Sequence, residues 1–587
     1  MDPQRELNRN GVLKALEGEA DIFLRGGEVL NVYSGEVLRM NVAVKGGLFQ
    51  YVGPLSHPVG KETLVLDVEG KTLVPGYVEP HCHPWLLYNP LSFAREAART
   101  GTTTFFCDNL AFFSLMGVDV FESFMTALMD MPVKFFWFCR AVPQTPMEGE
   151  ETLFSVENVS RLLMHPRAAS LGEITRWQEV LGGHPRILAM IDAARGLGKR
   201  VDGHTAGAKY EKMNGLSACG VESCHESITA REVLDRLRLG LHVMLRQSSL
   251  RQDLKELIRA VRENDLVTDR MMLTTDASTP AFHNETGFAD ELIRIVLKEG
   301  IPPITAYRMI TINPAAYFRM DHRIGGIAPG RDADILVLED LYHPVPELVI
   351  SRGRVLAEEG VLREEMPGVE WERYLPRSGF AARTWHAEAS HFMIPWSGDE
   401  SLFPTIELRS AVITRTAWIP FPAREGFLDL SGRDGFLFLA LVNKDGRWVT
   451  NGILRGLGDR IEGLASSFNT ANQILVIGRN PGAMSDAVNR ILALKGGIVA
   501  IENGGTAYEL ALPLGGMMSD KPMEYLANRE RGLKTFLTER GYPFHDPLYT
   551  LVFLPNDFLP EVRINYRGVV DIKTGEILRR RRDLVLS

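Results

Sequence analysis

Between Val74 and about Asn313 the chain alternates short apolar runs with amphipathic stretches, and this alternation restricts the fold more than any other feature. The runs "TLVPGYVEP", "TTTFFCD", "VKFFWFCRAV", "ASLGEIT", "RVDGHTA", "GVESCHE", "HVMLRQSS" and "MMLTTDAS" each have the length of a buried strand. Helical stretches lie between and after them. One is "ITAREVLDRLRLG", where Thr229 and Glu232 fit a capping box; another is "GFADELIRIVLKEG", closed by Gly300. A strand–helix alternation sustained over this length predicts an α/β fold, a (β/α)8 barrel of the TIM type.

The flanks have a different texture. Residues 20–75 alternate apolar and polar positions, punctuated at Gly26-Gly27, Gly35 and Gly46-Gly47, which predicts a small antiparallel β unit. The same texture returns in "GGIAPGRDADILVLEDL" and "LVISRGRVLAEEG". The economical expectation is one composite β domain, residues 1–75 and 321–370, with the barrel, 76–320, inserted in it. Residues 371–587 form a further α+β domain. There "PGAMSDAVNRILALKGG" predicts a helix with a glycine stop and "IVAIENGGTAYELALPL" a hairpin.

Charge and cysteine usage narrow the partners. A net charge of −9 and a pI near 5.9 argue against a nucleic-acid partner and suit a small-molecule substrate. The five cysteines form no CxxC pair and no disulfide framework, which fits a reducing cytoplasm. The start, "MDPQRELNRNG", has no apolar signal core. The most apolar region, 111–139, is broken by Asp119, Glu122, Asp130 and Lys134, so no membrane segment is expected.

In such a barrel the functional side chains sit at the C-terminal ends of the strands. His81 and His83 end the first, and their spacing of two points both to one face. Glu173 ends "ASLGEIT", His204 "RVDGHT", His225 "GVESCHE" and Asp276 "MMLTTD". Any one of these is a common structural residue, and HxH alone is a weak signal. The ordered set at successive strand ends is what points to a pair of divalent ions, which acidify water to near neutral pH. Cys82 should face away from the ligands as a buried hydrophobe, Cys219 and Cys224 should pack, and "FFWFC" should be core. His242 has two readings, pocket lining or satisfied core.

The segments "PGYVEPHCHP", "LGEI", "DGHTAG", "HES", "GLHVMLRQSS", "TTD", "GIPPITAYRMITINPAAYF" and "GGIAPGRDADILVL" together resemble the adenine deaminase family of the amidohydrolase superfamily. "GLASSF", "DAVNRILALKGGIVAIENG" and "LPLGGMMS" extend the resemblance through the last domain. The resemblance implies hydrolysis of adenine to hypoxanthine and ammonia at a binuclear centre, manganese foremost, with iron or zinc as alternatives. It implies His81, His83, Glu173, His204, His225 and Asp276 as ligands, Glu173 bridging, and a homo-oligomer. Asp276 is the expected proton carrier, and Glu226, beside His225, the candidate acid for the ring nitrogen.

Two departures from the family pattern stand out. Ala277 follows Asp276 where a second acidic residue is usual, and "SSFNTANQ" replaces a segment rich in histidine and aspartate. They keep another amino-heterocycle in view as substrate. The competing readings are a cyclic-amide hydrolase, disfavoured because those generally carry lysine at the Glu173 position, and a non-catalytic metal-binding scaffold.

Overall fold

The computed structural model describes residues 18–375, 385–398 and 402–584, so the polar start of the chain lies outside the described residues. Eight parallel strands follow one another in chain order: β1 (Tyr77–Cys82), β2 (Thr102–Cys107), β3 (Lys134–Cys139), β4 (Ala168–Ile174), β5 (Arg200–Gly203), β6 (Ser223–Cys224), β7 (His242–Arg246) and β8 (Met271–Thr274). A bridge between Cys82 and Asp276 and a hydrogen bond from Thr274 Oγ1 to the His81 carbonyl, 2.6 Å, join β8 to β1 and bring the sheet round into a barrel. Helices cover the outside, so both faces of β1 to β4 are enclosed and every residue in them is buried.

Val78, Phe106, Phe136, Phe138, Met244 and Met272 pack together inside the barrel, with Phe318 closing the lower end against Phe106 at a ring separation of 3.7 Å. Side chains on a strand repeat their face every second residue. Asp108 therefore follows Phe106, Arg140 follows Phe138 and Arg246 follows Met244 on the interior face, one step nearer the mouth. The apolar plug thus carries a layer of charge at the C-terminal ends of its strands.

One nine-stranded sheet combines the two flanks of the barrel. Thr72–Pro75 pairs antiparallel with Ile335–Leu338, Leu73 opposite Val337, and parallel with Ala20–Asn31. Val59–Asp67 also runs parallel to Ala20–Asn31, so the unit is a mixed sheet rather than the antiparallel one expected. Alternation of apolar residues specifies a half-buried strand but not the direction of its neighbour. The Lys134 ammonium, at the start of β3, lies 2.7 Å from Asp334 and ties barrel to sheet in a buried ion pair.

The last part of the chain is built on a second nine-stranded sheet with Phe436–Val442, Trp448–Arg455 and Ile474–Gly478 at its centre. Helix Pro481–Leu494 packs Met484, Val488 and Ile491 on it. That helix ends on Lys495 in a left-handed conformation, φ 62°, ahead of the predicted glycine. Gly497–Glu502 and Gly505–Ala511 form the hairpin, turning through Asn503 and Gly504, both at positive φ as an Asn-Gly turn requires. In the predicted capping box, the Thr229 hydroxyl accepts from Glu232 N at 3.2 Å, while the Glu232 carboxylate takes the Ile228 amide instead of that of Thr229.

Among the described residues one helix, Leu110–Asp130, has the length and mean hydropathy, 1.4, of a segment that could cross a membrane. Gly117, at φ 71° and ψ −177°, breaks it into two, and its Phe112 and Phe121 rings meet Trp137 of β3 edge-on at 5.2 and 5.3 Å. Its buried face, which includes Phe112, Phe113, Phe121 and Phe124, packs on the barrel.

Candidate metal centre and active site

The C-terminal strand ends bring six side chains to one point, and their donor atoms fall into two groups. In the first, His83 Nε2 lies 3.2 Å from His81 Nε2 and 3.1 Å from Asp276 Oδ1, and His81 Nε2 lies 3.5 Å from Asp276 Oδ1. Glu173 Oε2 is 3.5 and 3.7 Å from the two histidine nitrogens. In the second, His204 Nδ1 is 2.9 Å from Glu173 Oε1 and 3.1 Å from His225 Nε2, which is 4.0 Å from the same oxygen.

Nitrogen and oxygen ligands sit about 2.0–2.2 Å from a divalent ion, which spaces them roughly 3.0–3.6 Å apart round it. Five of the observed separations fall in that range, while His204–Glu173 is shorter at 2.9 Å and His83–Glu173 and His225–Glu173 are longer at 3.7 and 4.0 Å. Lone pairs that converge this closely in a buried place repel unless a proton or a cation lies among them, and a set of histidine and carboxylate donors of this composition fits a divalent ion. Glu173 offers one oxygen to each group. Burial pushes its carboxyl up, but Arg140 first and His204 next pull it well below the usual range. Burial, with His81 beside it, pushes His225 down to about 4, whereas the neighbouring carboxylates outweigh burial and push His81, His83 and His204 up.

A second layer of groups orients the first. Asp108 Oδ2 is 3.2 Å from His83 Nδ1 and takes the Trp85 indole N–H, also at 3.2 Å. Arg140 links Asp108, 2.5 Å, to Glu173 Oε2, 3.0 Å. Asp202 Oδ2 stands 3.5 Å from His81 Nδ1, and Asp202 is itself held by the Ser223 hydroxyl. Glu79 takes hydrogen bonds from Thr275 N, Thr275 Oγ1 and His81 N, with Thr274 Oγ1 2.7 Å away, and so fixes the seam beneath the site. Arg246 Nη1 donates to Glu226 and, at 3.1 Å, to Asp276 Oδ2.

These groups form the floor of a cavity of about 380 Å³. His83, Glu173, His204, Glu226, Arg246 and Asp276 face into it from the barrel, and His545, Tyr549, Phe553 and Phe558 close it from the last part of the chain. His242 does not line this cavity. It lies at the opposite end of β7, its ring 4.7 Å from that of Tyr317, with burial pushing it down to about 3, so its place is in the core. Cys82 faces the helix layer, its sulfur 3.7 Å from that of Cys107. Cys224 is buried against Arg236, and Cys219 is half-buried against the outer core.

The "SSFNTANQ" segment does not line the cavity either; Phe468 and Asn469 are fully buried, and Thr470 bonds Thr145 and Val552. Ala277 does line it. Asp108, Arg140, Asp202 and Arg246 went unassigned in the sequence. Asp108 ends the run "TTTFFCD", Arg140 directly follows β3 inside the run "VKFFWFCRAV", Arg246 ends β7 inside the run "HVMLRQSS", and Asp202 stands two residues before His204, so the observed strand ends bring all four to the same mouth.

Residues 72–356 match the Amidohydrolase family, and residues 411–576 match the Adenine deaminase C-terminal domain. A provisionally named adenine deaminase of Halalkalibacterium halodurans is 36% identical over 559 residues, 95% of this chain and 94% of its own length. An adenine deaminase of Moorella thermoacetica is 32% identical over 563 residues, 94% of each chain. With relatives of this identity covering both chains almost end to end, the chain belongs to the adenine deaminase family of the amidohydrolases, hydrolases that act on carbon–nitrogen bonds.

Proposed function

We propose that this protein deaminates adenine by hydrolysis, giving hypoxanthine and ammonia, with two divalent ions held by His81, His83, Asp276 and Glu173 on one side and by Glu173, His204 and His225 on the other. Histidine and carboxylate donors suit manganese, iron or zinc; we take manganese as the resident ion. Bound ions supply Lewis acidity that makes hydroxide available near neutral pH.

The protein's own groups handle the protons. Asp276 is placed to take a proton from the attacking oxygen and deliver it to the departing amine. Glu226 serves the ring nitrogen next to the amino-bearing carbon. Burial pushes the Glu226 carboxyl up, but Arg246 and the neighbouring histidines outweigh it and hold the group at about 2. Arg246 donates to both Glu226 and Asp276 and holds the two carboxylates in position. The aromatic wall of Phe553 and Phe558 suits a flat heterocycle and keeps bulk water from the floor.

The observation that carries this reading is the pair of donor groups sharing Glu173, with Asp276 facing the cavity. The experiment that tests it is ammonia release from a panel of purines and pyrimidines by manganese-loaded protein. Adenine as the best substrate supports the proposal. Faster release from another amino-heterocycle would replace adenine with that compound, and ring opening without ammonia would overturn the reaction class.

A further inference from the structure

Two stretches from the last part of the chain form much of the cavity wall. Phe403–Leu408 and Thr414–Ile419 pair antiparallel, and the turn between them is closed by Arg409 N on the Ile413 carbonyl at 2.8 Å. That turn brings Ala411, Val412 and Ile413 to the cavity. The end of the helix Pro547–Phe553 and the segment after it bring Phe553, Phe558 and Leu559. The Phe558 ring lies 5.1 Å from that of His204, so this wall stands beside the metal centre.

One side chain joins the two stretches. Arg563, on the strand Val562–Asn565, is 1% exposed and does not itself line the cavity. Its Nη2 donates to the Val412 carbonyl at 2.7 Å and to the Pro560 carbonyl at 2.9 Å. Its Nη1 donates to the Phe553 carbonyl at 3.2 Å and its Nε to the Leu559 carbonyl at 3.3 Å. Val412, Phe553 and Leu559 all line the cavity. Among the described residues no carboxylate pairs with Arg563, and burial pushes its guanidinium down to about 9. A buried cation without a counter-charge is costly. Arginine alone offers five N–H donors in one rigid plane, and here that plane meets carbonyls from two separate stretches at once.

We infer that Arg563 is a positioning residue that sets the width of the cavity, and that through it the site selects which heterocycles fit. The inference rests on the deaminase reading above. Without these donors the Val412, Phe553 and Leu559 carbonyls are left unpaired in a buried place, and the two stretches part until other donors reach them. Their side chains move with them. A misfit of one methylene in an apolar pocket changes discrimination by about tenfold to two-hundredfold, so a small displacement of this wall is enough to alter substrate choice.

The test compares Arg563→Lys with wild type, as metal-loaded full-length protein. Lysine keeps the buried positive charge, but one ammonium has three donors and cannot hold four carbonyls. KM for the best compound of the ammonia panel should rise about tenfold, and the preference in kcat/KM for that compound over the next best should fall about tenfold. The change in kcat should be smaller, and metal content per chain should not change. A double-mutant cycle separates wall position from general weakening of the fold. In protein that also carries Val412→Ala and Leu559→Ala, the wall is already cut back, and the lysine should change KM by less than about threefold. KM and preference within about twofold of wild type, or the full rise in KM in the cut-back protein, would overturn the inference. Failure of both Arg563→Lys and Arg563→Gln to give folded protein would also overturn it, because the arginine would then serve the fold at large. If wild type releases no ammonia from any heterocycle, the deaminase reading fails, and equilibrium binding of the same panel decides. Binding of the tightest compound weakened at least about tenfold in Arg563→Lys upholds the role of the arginine. Equal binding by the two proteins, or no binding by wild type, ends it.

Discussion

The Tyr549 hydroxyl, on the helix Pro547–Phe553, donates to the main-chain carbonyl of Ala277, 272 positions earlier in the chain. Ala277 follows Asp276, whose backbone sits at φ 48°, in the left-handed region that costs a non-glycine residue about 1 kcal/mol or more. The turn is over-determined: Tyr88 donates to the Ser278 carbonyl at 2.6 Å, and Ser278 Oγ to the Thr275 carbonyl at 2.8 Å. The last part of the chain therefore helps to hold the aspartate in a conformation it would not choose by itself.

Tyr549→Phe should lower kcat about tenfold with a smaller change in KM, because the ring still fills the cavity wall while the peptide after Asp276 loses its anchor; a factor of ten corresponds to about 1.4 kcal/mol. Steady-state kinetics and metal content check it together. A wild-type kcat in the variant would mean that the remaining bonds hold Asp276 unaided.

Arg246 is the only arginine seen to bridge the two candidate proton carriers among the described residues, donating to Glu226 and Asp276 from one nitrogen. Its removal leaves two buried carboxylates facing each other, and breaking a buried pair costs about 3–5 kcal/mol. Arg246→Met should reduce kcat by at least about a hundredfold. Arg246→Lys should recover only part of that, since one ammonium does not reproduce the planar fork. A lysine variant with full turnover would contradict the clamp.

Asp276 and Glu173 are expected to fail in different ways. Asp276→Asn keeps an oxygen donor but accepts no proton, so most of the metal should remain while turnover falls at least about a hundredfold. Glu173→Ala removes the carboxylate common to both donor groups, so elemental analysis should find less metal per chain than in wild type. Equal metal content in the Glu173 variant would rule out the bridging role, and near-normal turnover in the Asp276 variant would rule out proton transfer by that group.

The barrel and its charged mouth were legible because two periodicities coincide. Strand residues repeat their face every second position, and the strand ends fall at the mouth, so His81, Glu173, His204 and Asp276 could be placed without coordinates. Arg140 and Arg246 sit at the same kind of position but are not metal ligands, and a search for ligands passes over them. Arg563, Tyr549 and Phe558 were illegible for another reason. They lie outside the barrel strands, and contacts such as Thr145 with Thr470 and Tyr549 with Ala277 span hundreds of residues, which no local pattern encodes. Strand direction in the mixed sheet was hidden likewise, since Val59–Asp67 has the same alternation whichever way its neighbour runs.

Glu530 couples the same interface to pH. It lies on the helix Met523–Thr538 and accepts from the Ala281 amide at 2.8 Å. Burial lifts its carboxyl to about 8, against hydrogen bonds from Thr279 and Ala281, and Asp546 beside it adds to the rise. In the unfolded chain a glutamate titrates near 4.3. Between those values the folded protein keeps a proton that the unfolded chain has released, so this contribution to stability is complete below about 4.3, declines as pH rises through 8 and is level beyond. Glu530→Gln stays neutral throughout and its amide oxygen still accepts from Ala281. The variant should match wild type in thermal unfolding midpoint near pH 5 and exceed it near pH 8.5, by about 1–3 kcal/mol in stability. A difference that is the same at both pH values would mean that Glu530 does not hold its proton in the folded protein.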